Sequence, residues 1–248
     1  LENLDTYELF EASVARMERF LRVTPAVIAC DLHPEYLSTR YARARPEPLK
    51  IGVQHHHAHV VSTMVEHGLA GPVIGVAFDG TGYGTDGGAW GGEVLIANYG
   101  SFERVATLRP IALAGGDAAI HHPWRIALAL VEDAFDGSAP IEDLRLFSGI
   151  RARDVAVVRR MLATHFRAPL AHGCGRYFDG IGSLALMRPE SRYEGQIALE
   201  WNVVADPAEE ELYGYEVARH QLPWMVDLRP MVREVVRDPK RAARLAAF

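Results

Sequence analysis

The segment Val73-Ile74-Gly75-Val76-Ala77-Phe78 constrains the fold more than any other part of the chain. A run with no polar side chain, closed by Asp79, reads as a central strand buried on both faces. The glycine-rich stretch Gly80-Thr81-Gly82-Tyr83-Gly84 and then Asp86-Gly87-Gly88 read as a loop, with two further strands over 89–99 and 102–108. Strand, glycine turn, strand is a hairpin. That order separates this stretch from the strand-to-helix phosphate loops of P-loop and Rossmann proteins.

Helices and strands alternate around this hairpin, so the fold class is α/β. Residues 5–21 predict an amphipathic helix with Phe10, Val14, Met17 and Leu21 turned to the core. A short strand over 26–30 is broken by Asp31-Leu32-His33-Pro34. A helix over 36–44 and a strand over 49–53 follow. The next helix runs to about His67, with Gly68 as its stop. Downstream, helices are expected from Pro123 and near 141–147, 152–165, 176–188 and 193–204. A short strand pair is expected within 211–219, and helix again over 226–248.

His55-His56-His57-Ala58-His59 opens the helix that follows the strand at 49–53. Positions i and i+4 share a helix face, so His55 and His59 stand side by side and can share one transition-metal ion. The plain alternative is a solvated polar helix start. Asp79 offers a carboxylate to the same ion, and the glycines after it allow close backbone approach to an anion, although a bare turn has the same composition. On that reading a side chain at Gly82 would block a phosphate. His56, His57, Glu93 and Glu194 are further possible members of the site. Gly115-Gly116-Asp117 is a second glycine-acid turn. Arg176, near a helix start, suits a phosphate or a structural carboxylate. Cys174 has no flanking groups that would activate a thiolate and reads as a small buried residue. No residue type identifies a catalytic acid, base or nucleophile.

The net charge of −6 and the lack of a basic run disfavour nucleic acid as a partner. No apolar run reaches membrane-spanning length, and the first residues lack a signal-peptide layout. The two cysteines form no disulfide framework. Together these point to a cytoplasmic protein away from membranes.

The motifs VQHHHAH, VAFDGTGYGTDGGAWGGE, GGDAAIHHPWRIA, CGRYFD and YEGQIALE, with LENLDTYELFE and VIACDLHPEYLSTRYA, resemble the carboxy-terminal domain of the HypF carbamoyltransferases, which mature [NiFe] hydrogenases. The resemblance implies the acetate kinase/sugar kinase/Hsp70/actin (ribonuclease H-like) fold. Residues 1–70 would close a first lobe, and 71–248 would begin a second lobe with helical insertions. It implies an iron or zinc ion on His55, His59 and Asp79. It further implies ATP or carbamoyl-adenylate, with magnesium possible, at Gly80, Thr81, Gly82, Tyr83, Gly84, Gly115, Gly116, Asp117, Arg176 and Asp179. The carbamoyl group would pass to the terminal cysteine of a HypE-like protein, for the cyanide ligands of the hydrogenase. Carbamoyl phosphate and ATP would enter through modules that this chain lacks. The resemblance also implies a piece incomplete at both ends, catalytically silent alone. A small-molecule O-carbamoyltransferase and a non-catalytic docking module are the competing expectations.

Overall fold

The computed structural model describes residues 3–239. Helix α1 (Leu4–Leu21) is closed at its start by a capping box of Asn3 and Thr6. Strands β1 (Val27–Asp31) and β2 (Leu49–Val53) pair in parallel, in register from Val27 opposite Leu49 to Asp31 opposite Val53. Helix α2 (Leu37–Ala44) connects them, and α3 (His55–Glu66) leaves β2 two residues after its end. Helix α3 stops as Gly68 N–H bonds to Val65 O and Leu69 N–H to Met64 O, a glycine-closed end that needs the positive φ of 62° at Gly68.

A second, mixed sheet carries β3 (Val73–Tyr83), β4 (Ala89–Ala97), β5 (Phe102–Leu108), β6 (Ile111–Ala112), β7 (Leu170–Ala171), β8 (Glu216–Ala218) and β9 (Trp224–Asp227). The chain returns antiparallel from β3 to β4 to β5, and β9 adds to β5 in parallel. The helical layer comprises α4 (Ala118–His121), α5 (Trp124–Ala134), α6 (Arg145–Ser148), α7 (Ala152–Ala163), α8 (Cys174–Leu186), α9 (Gln196–Val204) and α10 (Arg229–Arg237). The main core lies among α5, α8, α10 and strands β5 and β6, with Ile126, Leu128, Val131 and Ile181 almost fully buried. A smaller core of Val60, Met64, Ala77, Leu95 and Ala97 holds α3 against β3 and β4. That core fixes where the histidines at the start of α3 sit.

The architecture departs from the sequence expectations at several points. The stretch Gly80–Tyr83 is strand, not loop. β3 continues through it with a register shift between Phe78 and Gly82, and the turn falls at Gly84–Gly88. Each glycine there lies against a side chain that needs the room. β3 also alternates: Gly75 and Ala77 are buried while Ile74, Val76 and Phe78 are exposed, and among the described residues it pairs with β4 alone. An unbroken apolar run does not report how many faces are covered. Helix α1 buries none of its residues; Phe10 meets Tyr41 edge-on at 5.2 Å, but Met17 and Leu21 face solvent. The expected pair at 211–219 is instead β8 with β9. The expected C-terminal helix starts only at Arg229, because Trp224–Asp227 are strand, and positions 240–248 lie outside the described residues.

Candidate metal centre

The histidine cluster forms where the start of α3 meets the irregular stretch of β3. Gln54 caps α3, its side chain accepting from His57 N–H at 2.9 Å. One helical turn then separates His55 from His59. Their Nε2 atoms lie 3.3 Å apart, and Asp79 Oδ2 lies 3.0 Å from the first and 3.7 Å from the second. The three donor atoms fall within 4.8 Å of one another. Two imidazole nitrogens and one carboxylate oxygen are a donor set that suits a first-row transition ion such as zinc or iron.

The electrostatics of the cluster follow from these contacts. The bond to Asp79 pushes His55 up to about 9, with Asp31 adding to it and partial burial opposing. His55 in turn holds Asp79 down to about 2, and Gly80 N–H supports its carboxylate at 2.6 Å. The two carboxylates thus favour the protonated ring of His55, and a metal taking its Nε2 would have to displace that proton.

The other histidines differ in kind. His56 is fully buried, and burial pushes it down to about 4. The Gln54 side-chain amide lies 3.2 Å from its Nδ1 and donates to Tyr83 O, so we assign the ring proton to Nε2. That Nε2 has no hydrogen-bond partner among the described residues and lies 3.9 Å from Asp79 Oδ2. His57 points elsewhere: its Nε2 donates to Asn98 O at 2.7 Å and its ring packs on Phe102.

The glycines around Asp79 make room for this arrangement. A Cβ on Gly82 would sit 2.6 Å from His56 Cε1 and 2.7 Å from His55 Cδ2, and one on Gly80 would sit 2.7 Å from Arg176 Nη2. At Gly84 the occupants are Trp90 and Asp86. Thr81 is exposed and donates to Gly80 O, while the Tyr83 ring meets His33 edge-on.

Across Gly80 lies the start of α8. A Cβ on Gly175 would come 2.9 Å from Gly80 Cα, so backbone packs on backbone there. Arg176 is buried, with Nη1 3.0 Å from Asp179 Oδ2 and Nη2 2.6 Å from Glu194, which reaches in from solvent. Its Nε, and Asp179 Oδ2, make no well-formed hydrogen bond among the described residues. Burial pushes Asp179 up to about 6 although Arg176 pulls the other way. Cys174 at the same helix start is pushed up to about 11 by burial, which suits packing rather than nucleophilic attack.

Two groups read from sequence stand apart. Glu93 is buried beneath the cluster and already satisfied, accepting from Gly91 N–H, Gly92 N–H, Thr107 Oγ1 and Arg104 Nε, the last at 2.6 Å. Gly115, Gly116 and Asp117 form a turn before α4, where Gly115 N–H bonds to Arg167 O and Gly116 N–H to Leu113 O. Asp31 was missed by the sequence reading, which took it only as part of a strand break. Its Oδ2 accepts from His55 Nδ1 at 2.8 Å.

Comparison with known proteins agrees with the motif resemblance. Residues 75–248 match the family model described as carbamoyltransferase, Kae1-like domain, second subdomain, and residues 1–66 match the HypF Kae1-like domain. The carbamoyltransferase HypF of Synechocystis sp. is 35% identical over 100% of this chain and 34% of its own length. HypF2 of Cupriavidus necator is 39% identical over 80% of this chain and 24% of its own. A crystal structure of full-length HypF in the phosphate- and nucleotide-bound form superposes with a TM-score of 0.89 at 33% identity, covering 100% of this chain and 38% of that one. T. kodakarensis HypF gives 0.82 at 29% identity, over 98% and 34%. The chain thus spans between 24% and 38% of the length of these relatives. The α/β architecture expected from the motifs is the one they share.

Proposed function

The chain belongs to the HypF carbamoyltransferase family, and from that premise we propose that it carries the carbamoyl-transfer site of such a protein. The donor is carbamoyl-adenylate. The acceptor is the terminal cysteine of a HypE-like partner, in the route to the cyanide ligands of [NiFe] hydrogenase. The carrying observation is the convergence of His55, His59 and Asp79, with donor atoms within 4.8 Å of one another, directly across Gly80 from the start of α8.

His55, His59 and Asp79 would hold an iron or zinc ion, whose Lewis acidity supplies charge stabilisation at the acyl group. The residues of the chain do the rest. His56 offers a buried N–H to the same space. Arg176 and the N–H groups that open α8 favour a phosphate beside Gly80. The nucleotide reading therefore rests on Arg176 and the helix start more than on the glycines of β3. In the transfer itself the acceptor thiolate, its proton already lost to solvent, forms a bond to the carbamoyl carbon, the carbon–oxygen bond to the phosphate breaks, and AMP leaves with the electron pair. The nucleotide-bound state of the full-length HypF structure supports this reading.

The test supplies carbamoyl phosphate, ATP and a peptide ending in cysteine to the chain joined to the remainder of a HypF protein. Mass spectrometry then looks for thiocarbamate. The expected result is product with the native sequence and none with His55→Ala/His59→Ala. Equal yields would end the proposal.

A further inference from the structure

We infer that Asp31 is a positioning residue for the metal centre: it fixes the ring of His55 so that Nε2 faces the ion. The inference rests on the metal reading above.

An imidazole can offer Nε2 as a ligand only when that atom carries no proton, and the neutral ring then carries its proton on Nδ1. Asp31 Oδ2 stands 2.8 Å from His55 Nδ1 and can only accept, so it selects that tautomer. The opposite edge of the ring then faces Asp79 Oδ2 at 3.0 Å and His59 Nε2 at 3.3 Å. Carboxylate, imidazole and metal site lie in sequence, the arrangement that orients metal-bound histidines generally.

The carboxylate is itself held. Asp31 Oδ1 accepts from His33 N–H at 2.7 Å, and Asp31 O accepts from Thr39 Oγ1 at 3.2 Å. Asp31 ends β1 opposite Val53, the end of β2, and His55 follows two residues later. Ligand and acceptor therefore leave neighbouring strand ends. The parallel pairing of β1 with β2 sets the distance between them. The Asp31-Leu32-His33-Pro34 break thus lets one side chain, that of Asp31, meet a residue 24 positions away.

Cobalt(II) serves as the probe. Affinity is measured by competition with a chromophoric chelator, and the exchangeable Nδ1 proton of His55 is followed as a paramagnetically shifted NMR resonance. Asp31→Ala is expected to weaken cobalt binding by about 10- to 100-fold and to move that resonance. Asp31→Asn keeps an acceptor and should recover part of the affinity, which a purely structural role would not require. If Asp31→Ala and Asp31→Asn bind cobalt as tightly as the wild type, with the resonance unmoved, the inference falls while the metal reading stands. If the wild type takes up no cobalt, or His55→Ala/His59→Ala takes up as much, the metal reading falls and the inference with it.

Discussion

Gly82 shows how a single missing side chain shapes this site. Its hydrogen faces the rings of His55 and His56, where a Cβ would stand 2.6–2.7 Å away. Overpacking of that kind costs about 1–3 kcal/mol. Gly82→Ala is therefore expected to lower the urea midpoint and metal affinity together, because the rings must move. An unchanged affinity with a lowered midpoint would detach this glycine from the cluster. Asp179 supplies a pH prediction. An acid whose folded pKa lies above its unfolded value binds its proton more tightly in the folded state. Stability is then fully present below about 4 and is lost as pH rises through about 6. At roughly 1.4 kcal/mol per unit, this loss is on the order of 3 kcal/mol at most. Asp179→Asn should therefore gain on the wild type between pH 4 and pH 7 in urea titrations. A constant offset across that range would mean that Arg176 keeps the carboxylate charged throughout.

At the scale of elements, α3 is placed by its crossing of β3. Val60 sits directly over Gly75, leaving no room for a Cβ there, and Met64 extends the contact toward Leu95. Gly75→Ala should push α3 off the sheet and cost about 1–3 kcal/mol. Adding Val60→Ala should recover part of that loss, and a double-mutant cycle of unfolding energies would read the coupling. Additive effects would refute the crossing as the determinant. Much of this element was legible beforehand. The spacing of His55 and His59 gives a shared helix face, and Gly68 gives the stop. An acid that interrupts an apolar strand beside such a helix was a fair partner to guess. Asp31 was not legible, because Asp-Leu-His-Pro reads locally as a break and its partner lies across two strand ends. Nor was the strand character of Gly80–Tyr83, since glycine in sequence does not distinguish a loop from a strand that makes room for histidine rings. The outward stripe of α1 misled for the reverse reason: helical periodicity reports an apolar face, not what covers it.

The whole molecule divides its apolar surface unevenly. The helical layer has a large core around α5 and α8, while α3 is secured by a small one. No helix among the described residues is long and apolar enough to cross a membrane. The outward face of β3 remains. Ile74 is 75% exposed and Phe78 61%, and Val76 stands between them on a strand paired along one side among the described residues. Such a strip is a template for another strand. In concentrated solution the isolated chain should self-associate through it, and Val76→Lys should keep it dispersed with little change in melting temperature. Light scattering across a dilution series would decide, and wild-type particles of constant size would rule the strip out. The shelf life of the purified chain would then be set by three side chains on one strand, however firmly the core beneath them is packed.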